Sequence, residues 1–421
     1  MSRALFRPVF LLLAAIAALL AACAGGGSTS GTPTKEPITI GSFYDGSGAT
    51  SAVGVPHRQG FDDYIRLVNK RGGVDGHPIN TVVIDMGYEV PKGIEGYERM
   101  KREGVVAISM WATPLVAALQ ERAVADHIPL IHPGFGVGAA LLGEKFPYLF
   151  PTTGSYWTQT AGAVKFILDK WKEEGRPGKP KIAFIFQDNP AGREPLDLLN
   201  EIQRKEGFDL QTWAVPLPGL DVSAQVTDAV QRFRADWIIC HLFSRSPAPF
   251  ARAVKDQGFP MNRVVGLWGC FPPEQLTGVG GTAAVEGMYG VSFHGFGPDL
   301  PIANDIRQLY QEEGKTPPPA FQDTVFYWHG VMAAALTVKG VEQALKSEGW
   351  PLNGEKAKRG LEKLSGEIFD LASVKMSPQD HEGGGFIKVF QAKGGKWEPV
   401  TDWYNAYREE VLAVATKVAG G

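Results

Sequence analysis

Cysteine is nearly absent, with three in 421 residues. So few cannot build the disulfide framework that staples small exported domains, and the core must be held by buried apolar surface. An excess of one charge is missing too. The formal balance is −3, or −5 without Arg3 and Arg7 at the start, which gives no basic footprint for nucleic acid. After the first 20 residues there is no uninterrupted apolar run of about 18, the least a membrane helix needs. Catalytic signatures are lacking as well: no Gly-x-Ser-x-Gly elbow, no phosphate-binding Walker loop and no His-Glu-x-x-His pair. Gly134-Phe135-Gly136-Val137-Gly138-Ala139 fits a loose dinucleotide pattern, yet it follows the fourth predicted strand instead of the first and reads as a glycine turn. His127 and His132 lie five apart with no Cys, Asp or Glu nearby at metal-ligand spacing beyond Asp126, and they read as ordinary loop and helix-end histidines. No cofactor, metal or enzymatic activity is expected.

What is present begins with a targeting segment. Arg3 and Arg7 precede the apolar run Val9–Leu20, and Leu20-Ala21-Ala22-Cys23 follows. The run is too short to span a membrane and reads as an export signal. Small residues directly before a cysteine resemble a bacterial lipoprotein signal, in which Cys23 becomes the lipid-bearing first residue of the mature chain. A plain secretory signal cut at Ala21-Ala22 is the alternative. Residues 24–37 are rich in Gly, Ser, Thr and Pro and read as a flexible tether. Cys240 and Cys270 each follow an apolar run in the same half of the chain. Sequence leaves open whether they form a disulfide or two buried thiols.

The stretch from Gly104 to Gly136 organises the rest. Val105–Ser109 has the length and composition of a buried strand. Thr113-Pro114 reads as a helix start, and Leu115, Val116, Leu119 and Ala123 place an apolar face on that helix. Ile128–Ile131 is a second strand, stopped by Pro133-Gly134. A unit this compact is a right-handed βαβ crossover with parallel strands, whose strand ends and helix start face the same way. Ser109, Trp111, Thr113 and the 134–138 loop lie at that end, where a ligand is expected.

The same alternation runs along the chain, which predicts an α/β fold. Strands are expected at Ile38–Gly41 and Ile79–Asp85 with helices at Pro56–Lys70 and Pro91–Arg102, and an extended connector at Tyr148–Thr153. A second set follows from the Lys181–Phe186 strand, with helices at Glu194–Glu206, Ser223–Phe233 and Pro249–Gln257. The chain therefore predicts two similar doubly wound halves. Later elements are a strand at Met288–Phe293, helices at Pro301–Glu313, Phe321–Gly340 and Leu352–Leu364, and a hairpin of Gly385–Gln391 with Lys396–Val400.

Aromatic residues gather where these strands end: Phe43, Tyr44, Trp111, Phe135, Tyr156, Trp157, Phe243, Trp268 and Phe271. Rings around a small ligand bury a large apolar area while a few polar groups set its orientation. Ser109, Thr113, Gly136, Asp188, Arg193, His241 and Arg245 are the polar and backbone candidates at the same exits. The helix start around Thr113 favours an anion, and Arg193 or Arg245 could pair with a carboxylate in bidentate fashion.

Together these pieces resemble a known family. They are Ile38-Thr39-Ile40-Gly41 with Gly46, Ser47, Gly48 and Gly54; Val68-Asn69-Lys70-Arg71-Gly72-Gly73-Val74-Asp75-Gly76; Ile128-Pro129-Leu130-Ile131 with Pro133; Asp188 with Gly192-Arg193; and Glu286-Gly287 before Met288. Over nearly all of the mature chain the sequence resembles a type I periplasmic solute-binding protein of the leucine/isoleucine/valine-binding group, the receptor of an ABC importer. The resemblance implies two Rossmann-like lobes joined by three hinge crossovers, near Thr153, Gly287 and Phe369-Asp370. One lobe would hold 38–153 and 287–368, the other 154–286 and 369–421. It also implies an exported, lipid-anchored monomer in the periplasm or on the outer face of the membrane, serving a separate ABC permease and ATPase.

In that family Thr113 matches a Ser or Thr that binds the carboxylate of an amino acid. Three other positions depart from the pattern. Gly134-Phe135-Gly136 stands where a small hydroxyl residue meets the ligand ammonium, Ala191 stands for a tyrosine, and Gly269-Cys270-Phe271 lacks the expected acid. A buried ammonium without partners costs several kcal/mol. The expected ligand is therefore a bulkier apolar or aromatic carboxylate instead of an α-amino acid. The alternatives are a sensing lobe for a separate membrane receptor, or an exported enzyme on the same fold.

Overall fold

Short apolar runs that do not alternate become parallel strands covered on both faces. In the computed structural model, which describes residues 35–152 and 154–420, β1 (Ile38–Tyr44), β2 (Ile79–Asp85), β3 (Ile108–Ser109), β4 (Leu130–His132) and β5 (Leu149–Pro151) form a parallel sheet in the order β2-β1-β3-β4-β5. A second parallel set comprises β6 (Lys181–Gln187), β7 (Asp209–Val215), β8 (Trp237–His241), β9 (Val264–Gly266) and β10 (Tyr289–Ser292). β11 (Ser365–Ile368) and β12 (Ala372–Lys375) pair only with each other. β13 (Lys388–Lys393) and β14 (Lys396–Pro399) then extend the second sheet antiparallel from β10, giving β14-β13-β10-β9-β8-β6-β7. The expected two-lobed α/β architecture is what the chain adopts. The signal segment, Cys23, most of the tether and the crossing at Thr153 lie outside the described residues.

Two crossings fall later than expected. β10 is hydrogen-bonded between β9 and β13, so the chain leaves the second lobe after Ser292 instead of near Gly287. The helices Pro301–Glu312 and Val325–Glu348 then pack against the Ser51–Lys70 helix of the first lobe. The return lies beyond Phe369-Asp370. His381 still holds the first lobe, its N–H donating to the Leu141 carbonyl at 2.9 Å, before Lys388 opens β13.

Helix boundaries follow local chemistry. The long helix begins at Val325 because Thr324 is extended (φ −119°, ψ 131°) and its side chain accepts the Tyr327 N–H. A short turn at Ala320–Asp323 precedes it. Pro195 separates Pro190–Arg193 from the Leu196–Glu206 helix. Ser223–Thr227 widens into a π-turn at Asp228–Arg232. The β11–β12 hairpin and the Arg408–Gly420 helix have no counterpart in the sequence reading.

One crossing is fastened by buried charge. Glu382 is fully buried and accepts the Ser155 N–H at 2.6 Å and the Thr158 hydroxyl at 3.0 Å. Arg408 reaches Glu382 and also donates to Asp380 at 2.5 Å. Asp380 in turn accepts the backbone N–H groups of Glu382, Gly383 and Gly384. A cation between two carboxylates, each with further donors, meets the condition under which buried ion pairs are tolerated.

Candidate functional site

Register aligns the strand ends of the first lobe. Ser42 on β1 lies beside Ser109 on β3, which lies beside Ile131 on β4. Beyond β1 the buried Asp45 carboxylate accepts the Thr50 N–H and the Thr50 hydroxyl, both at 2.7 Å. Thr50 Oγ1 accepts the Trp111 indole N–H at 2.9 Å, which fixes that ring after β3. Ala112 then adopts φ +59°, a conformation L residues rarely hold and one that clusters at functional sites. The Thr113–Asp126 helix starts directly behind it, with Pro114 in its first turn and no side-chain cap. The Thr113 hydroxyl is committed elsewhere: it donates to the Phe135 carbonyl at 2.7 Å and so ties the 134–138 loop to the helix start.

Phe135 sits on that loop and meets the rings of the other lobe. It stacks on Tyr156 at 4.9 Å with an 8° interplanar angle, and lies 4.8 Å from Trp268 and 5.8 Å from Phe293. Trp268 continues to Phe326 at 4.6 Å and to His329 at 5.4 Å. His57 closes the circuit, 4.8 Å from Trp111 and 5.0 Å from His329. Tyr156 also touches His241 at 4.4 Å and Phe243 at 5.5 Å. Trp268 is held by Gln159, which accepts its backbone N–H at 2.9 Å, and by His294 Nε2, which accepts its indole N–H at 3.2 Å.

Two glycines bring His57 and His329 together. A Cβ on Gly60 would overlap the Tyr327 carbonyl, and one on Gly330 would overlap the His57 carbonyl, so the Ser51–Lys70 and Val325–Glu348 helices cross at backbone contact. Burial pushes the imidazoles down: His57 to about 3, His241 to about 3, His294 to about 4, and His329 well below its ordinary value. All are neutral near pH 7. Among the described residues the Ser109 hydroxyl, also buried, has no hydrogen-bond partner.

A second bridge crosses at the edge of the cleft. Glu194 of the second lobe accepts the Gly138 N–H at 2.9 Å and the Gly136 N–H at 3.2 Å from the first. Desolvation raises its carboxyl to about 7, against the pull of those two N–H groups. The Glu194 carbonyl accepts the Trp157 indole N–H at 2.7 Å.

The expected site residues divide accordingly. Trp111, Phe135, Tyr156, Phe243, Trp268 and His241 gather between the lobes, with Ser109, Thr113 and Gly136 on the same rim. Phe43 does not: it is fully buried in the first lobe, where a Cβ on Gly96 would press its ring. Tyr44 lies beneath Arg58 at 5.8 Å. Trp157 serves the Glu194 bridge, and Phe271 packs on Trp397 at 5.1 Å in the second lobe. Arg193 donates to Asp188 at 2.8 Å on the surface, so that pair neutralises itself, and Arg245 is exposed. An acid does follow β9, later than the family position: Glu274 accepts the Phe326 N–H at 3.2 Å. Among the described residues no group of His, Cys, Asp and Glu is arranged to hold a metal. Cys240 and Cys270 form a disulfide, with Cα atoms 6.1 Å apart.

His57, Phe293, His294, Phe326 and His329 were not singled out in sequence. The Phe326-Tyr327-Trp328-His329 cluster just inside a capped helix, and glycines in two helix interiors, are the signals that point to them.

Two lobes built on parallel sheets, joined by crossings and meeting at a cluster of rings, are the architecture of a receptor for small solutes. A family model for periplasmic binding proteins matches residues 37–396. The chain belongs to this family. It is 24% identical over 323 residues to Leu/Ile/Val-binding protein homolog 7 of Brucella abortus, covering 74% of this chain and 80% of that one. A crystal structure described as an ABC transporter permease from the Pseudomonas fluorescens group is 29% identical, with a TM-score of 0.84 over 91% of this chain and 96% of that one. A branched-chain amino acid ABC transporter protein from Thermus thermophilus, solved with bound valine, is 21% identical with a TM-score of 0.71, covering 92% and 100%. Proteins of this family are extracytoplasmic and bind solutes without transforming them, delivering them to ABC permeases.

Proposed function

We propose that this protein captures an aromatic or bulky apolar carboxylate between its lobes and delivers it to an ABC permease and ATPase, held at the membrane by lipid on Cys23. The observation that carries the reading is Phe135. It stands where the family pattern has a hydroxyl for the ligand ammonium, and its ring stacks on Tyr156 and meets Trp268 at a tilt. The rings in contact there are aromatic or neutral imidazole, and none of them carries a charge. An ammonium would lie there without a dedicated counter-charge, at a cost of several kcal/mol. A carboxylate has the uncapped start of the Thr113–Asp126 helix, where N–H groups and the helix dipole favour negative charge.

A thermal-shift panel of the purified protein tests this, with aliphatic amino acids, their amides and aromatic carboxylates. A ligand at about 100 times its dissociation constant adds roughly 2.7 kcal/mol, an easily seen shift. Aromatic acids should raise the melting temperature and leucine should not. A shift with leucine-like amino acids alone would refute the reading. Lipid on Cys23 is tested separately, by whether Cys23→Ser releases the protein from the membrane.

A further inference from the structure

We infer that His57 and His329 form a polar receptor within the ring cluster between the lobes, selecting a ligand that carries an uncharged hydroxyl away from its carboxylate. This deepens the reading above and rests on it. Both side chains are buried, and among the described residues none of their four ring nitrogens has a hydrogen-bond partner. Native interiors pair almost all such atoms. The third histidine of the cluster shows the contrast. His294 Nδ1 donates to the Gly295 carbonyl at 2.8 Å, and its Nε2 accepts from Trp268. The fold satisfies His294 and leaves the other two open.

The pair is built into the fold. His57 comes from the first helix and packs on Trp111, the ring fixed by Thr50. His329 comes from the long helix and packs on Trp268, the ring fixed by Gln159. Gly60 and Gly330 allow the helix contact that sets the two imidazoles 5.0 Å apart. Each therefore touches an anchored ring of the proposed ligand cage.

The chemistry follows from the protonation state. A neutral imidazole offers one N–H donor and one acceptor lone pair. Two of them, side by side, suit a group that gives one hydrogen bond and receives another, which is what a hydroxyl does. A second carboxylate would need at least one ring protonated, and burial opposes that for both. An ammonium would have lone pairs to bond but no counter-charge.

Two matched pairs of acids test the inference by calorimetry on the purified protein: 4-hydroxybenzoate against benzoate, and 4-hydroxyphenylacetate against phenylacetate. Each pair differs by one hydroxyl, so the ring and carboxylate are held constant. The hydroxylated acid of at least one pair should bind about tenfold tighter or more, the usual effect of a buried site built to hydrogen-bond a hydroxyl. His57→Phe and His329→Phe should each erase that preference, so that the two acids of a pair bind with equal affinity. A variant that does not fold leaves the wild-type comparison intact. It also leaves a second readout: the imidazole 15N resonances should move with the hydroxylated acid and stay with its partner. Equal affinity within both pairs would overturn the inference while keeping the aromatic-carboxylate reading. Binding of none of the four acids would overturn both.

Discussion

Mild acid should destabilise this protein strongly, through histidines that cannot accept a proton without unfolding. Seven of its eight histidines are buried, and in five of them, His57, His132, His241, His294 and His329, burial opposes protonation. Burial pushes His57, His132 and His241 to about 3 and His294 to about 4, and holds His329 well below its ordinary value. In an unfolded chain each titrates near 6.5. Because the folded values are depressed, the unfolded chain takes up these protons first. The stability tied to neutral burial is complete above about pH 6.5 and is lost as pH falls toward about 3. At pH 5 each group sits about 1.5 units below its unfolded value, worth roughly 2 kcal/mol. Five such groups approach ~10 kcal/mol, comparable with the whole stability of an ordinary domain. Residual structure in the unfolded chain trims the sum but leaves most of it. Urea unfolding at half-unit steps from pH 7.5 to 5 measures the effect, since the slope of stability against pH counts protons taken up. We expect roughly four or more protons between pH 5.5 and 5. A slope near one proton or less would show that these imidazoles find partners or water, and would refute the reasoning.

Three other outcomes follow from particular contacts. The raised Glu194 carboxyl has the opposite sign: its penalty is absent below about pH 4.5 and complete above about 7. Glu194→Gln should therefore gain about 1–2 kcal/mol relative to wild type on going from pH 5 to pH 8, a figure reduced for a half-buried residue; a constant difference between the two proteins would contradict this. Arg408→Met leaves Glu382 and Asp380 without their cation and should cost about 3–5 kcal/mol at pH 7, partly recovered by adding Glu382→Gln. Replacing Cys240 and Cys270 with alanine opens a loop of 30 residues and should cost about 3–4 kcal/mol. Dithiothreitol should have the same effect on wild type and none on the variant.

Much of the site was legible because it lies on one βαβ unit, where strand exits and helix start are sequence neighbours. Trp111, Thr113 and Phe135 fall within one such unit, and periodicity alone puts them at one end. Reading roles was harder than reading positions. Thr113 looked like a free hydroxyl, but its nearest acceptor is the Phe135 carbonyl. Arg193 looked available for a ligand and instead neutralises Asp188 five residues earlier. The crossing near Gly287 was misplaced because a lone apolar run, Met288–Phe293, does not state which sheet it joins.

Hydrophobic period, turn glycines and helix-start chemistry act over a few residues, so the chain by itself determined its alternation, its two doubly wound halves and the family they belong to. Tertiary structure decided what depends on elements far apart in sequence. It placed β10 in the second sheet, joined Cys240 to Cys270, and crossed two helices at Gly60 and Gly330. That crossing brings His57 against His329, and among the described residues neither ring is given a hydrogen-bond partner. No local pattern encodes such a meeting, because partner choice across a core is settled by shape and by which polar atoms are left over once the helices and sheets have packed.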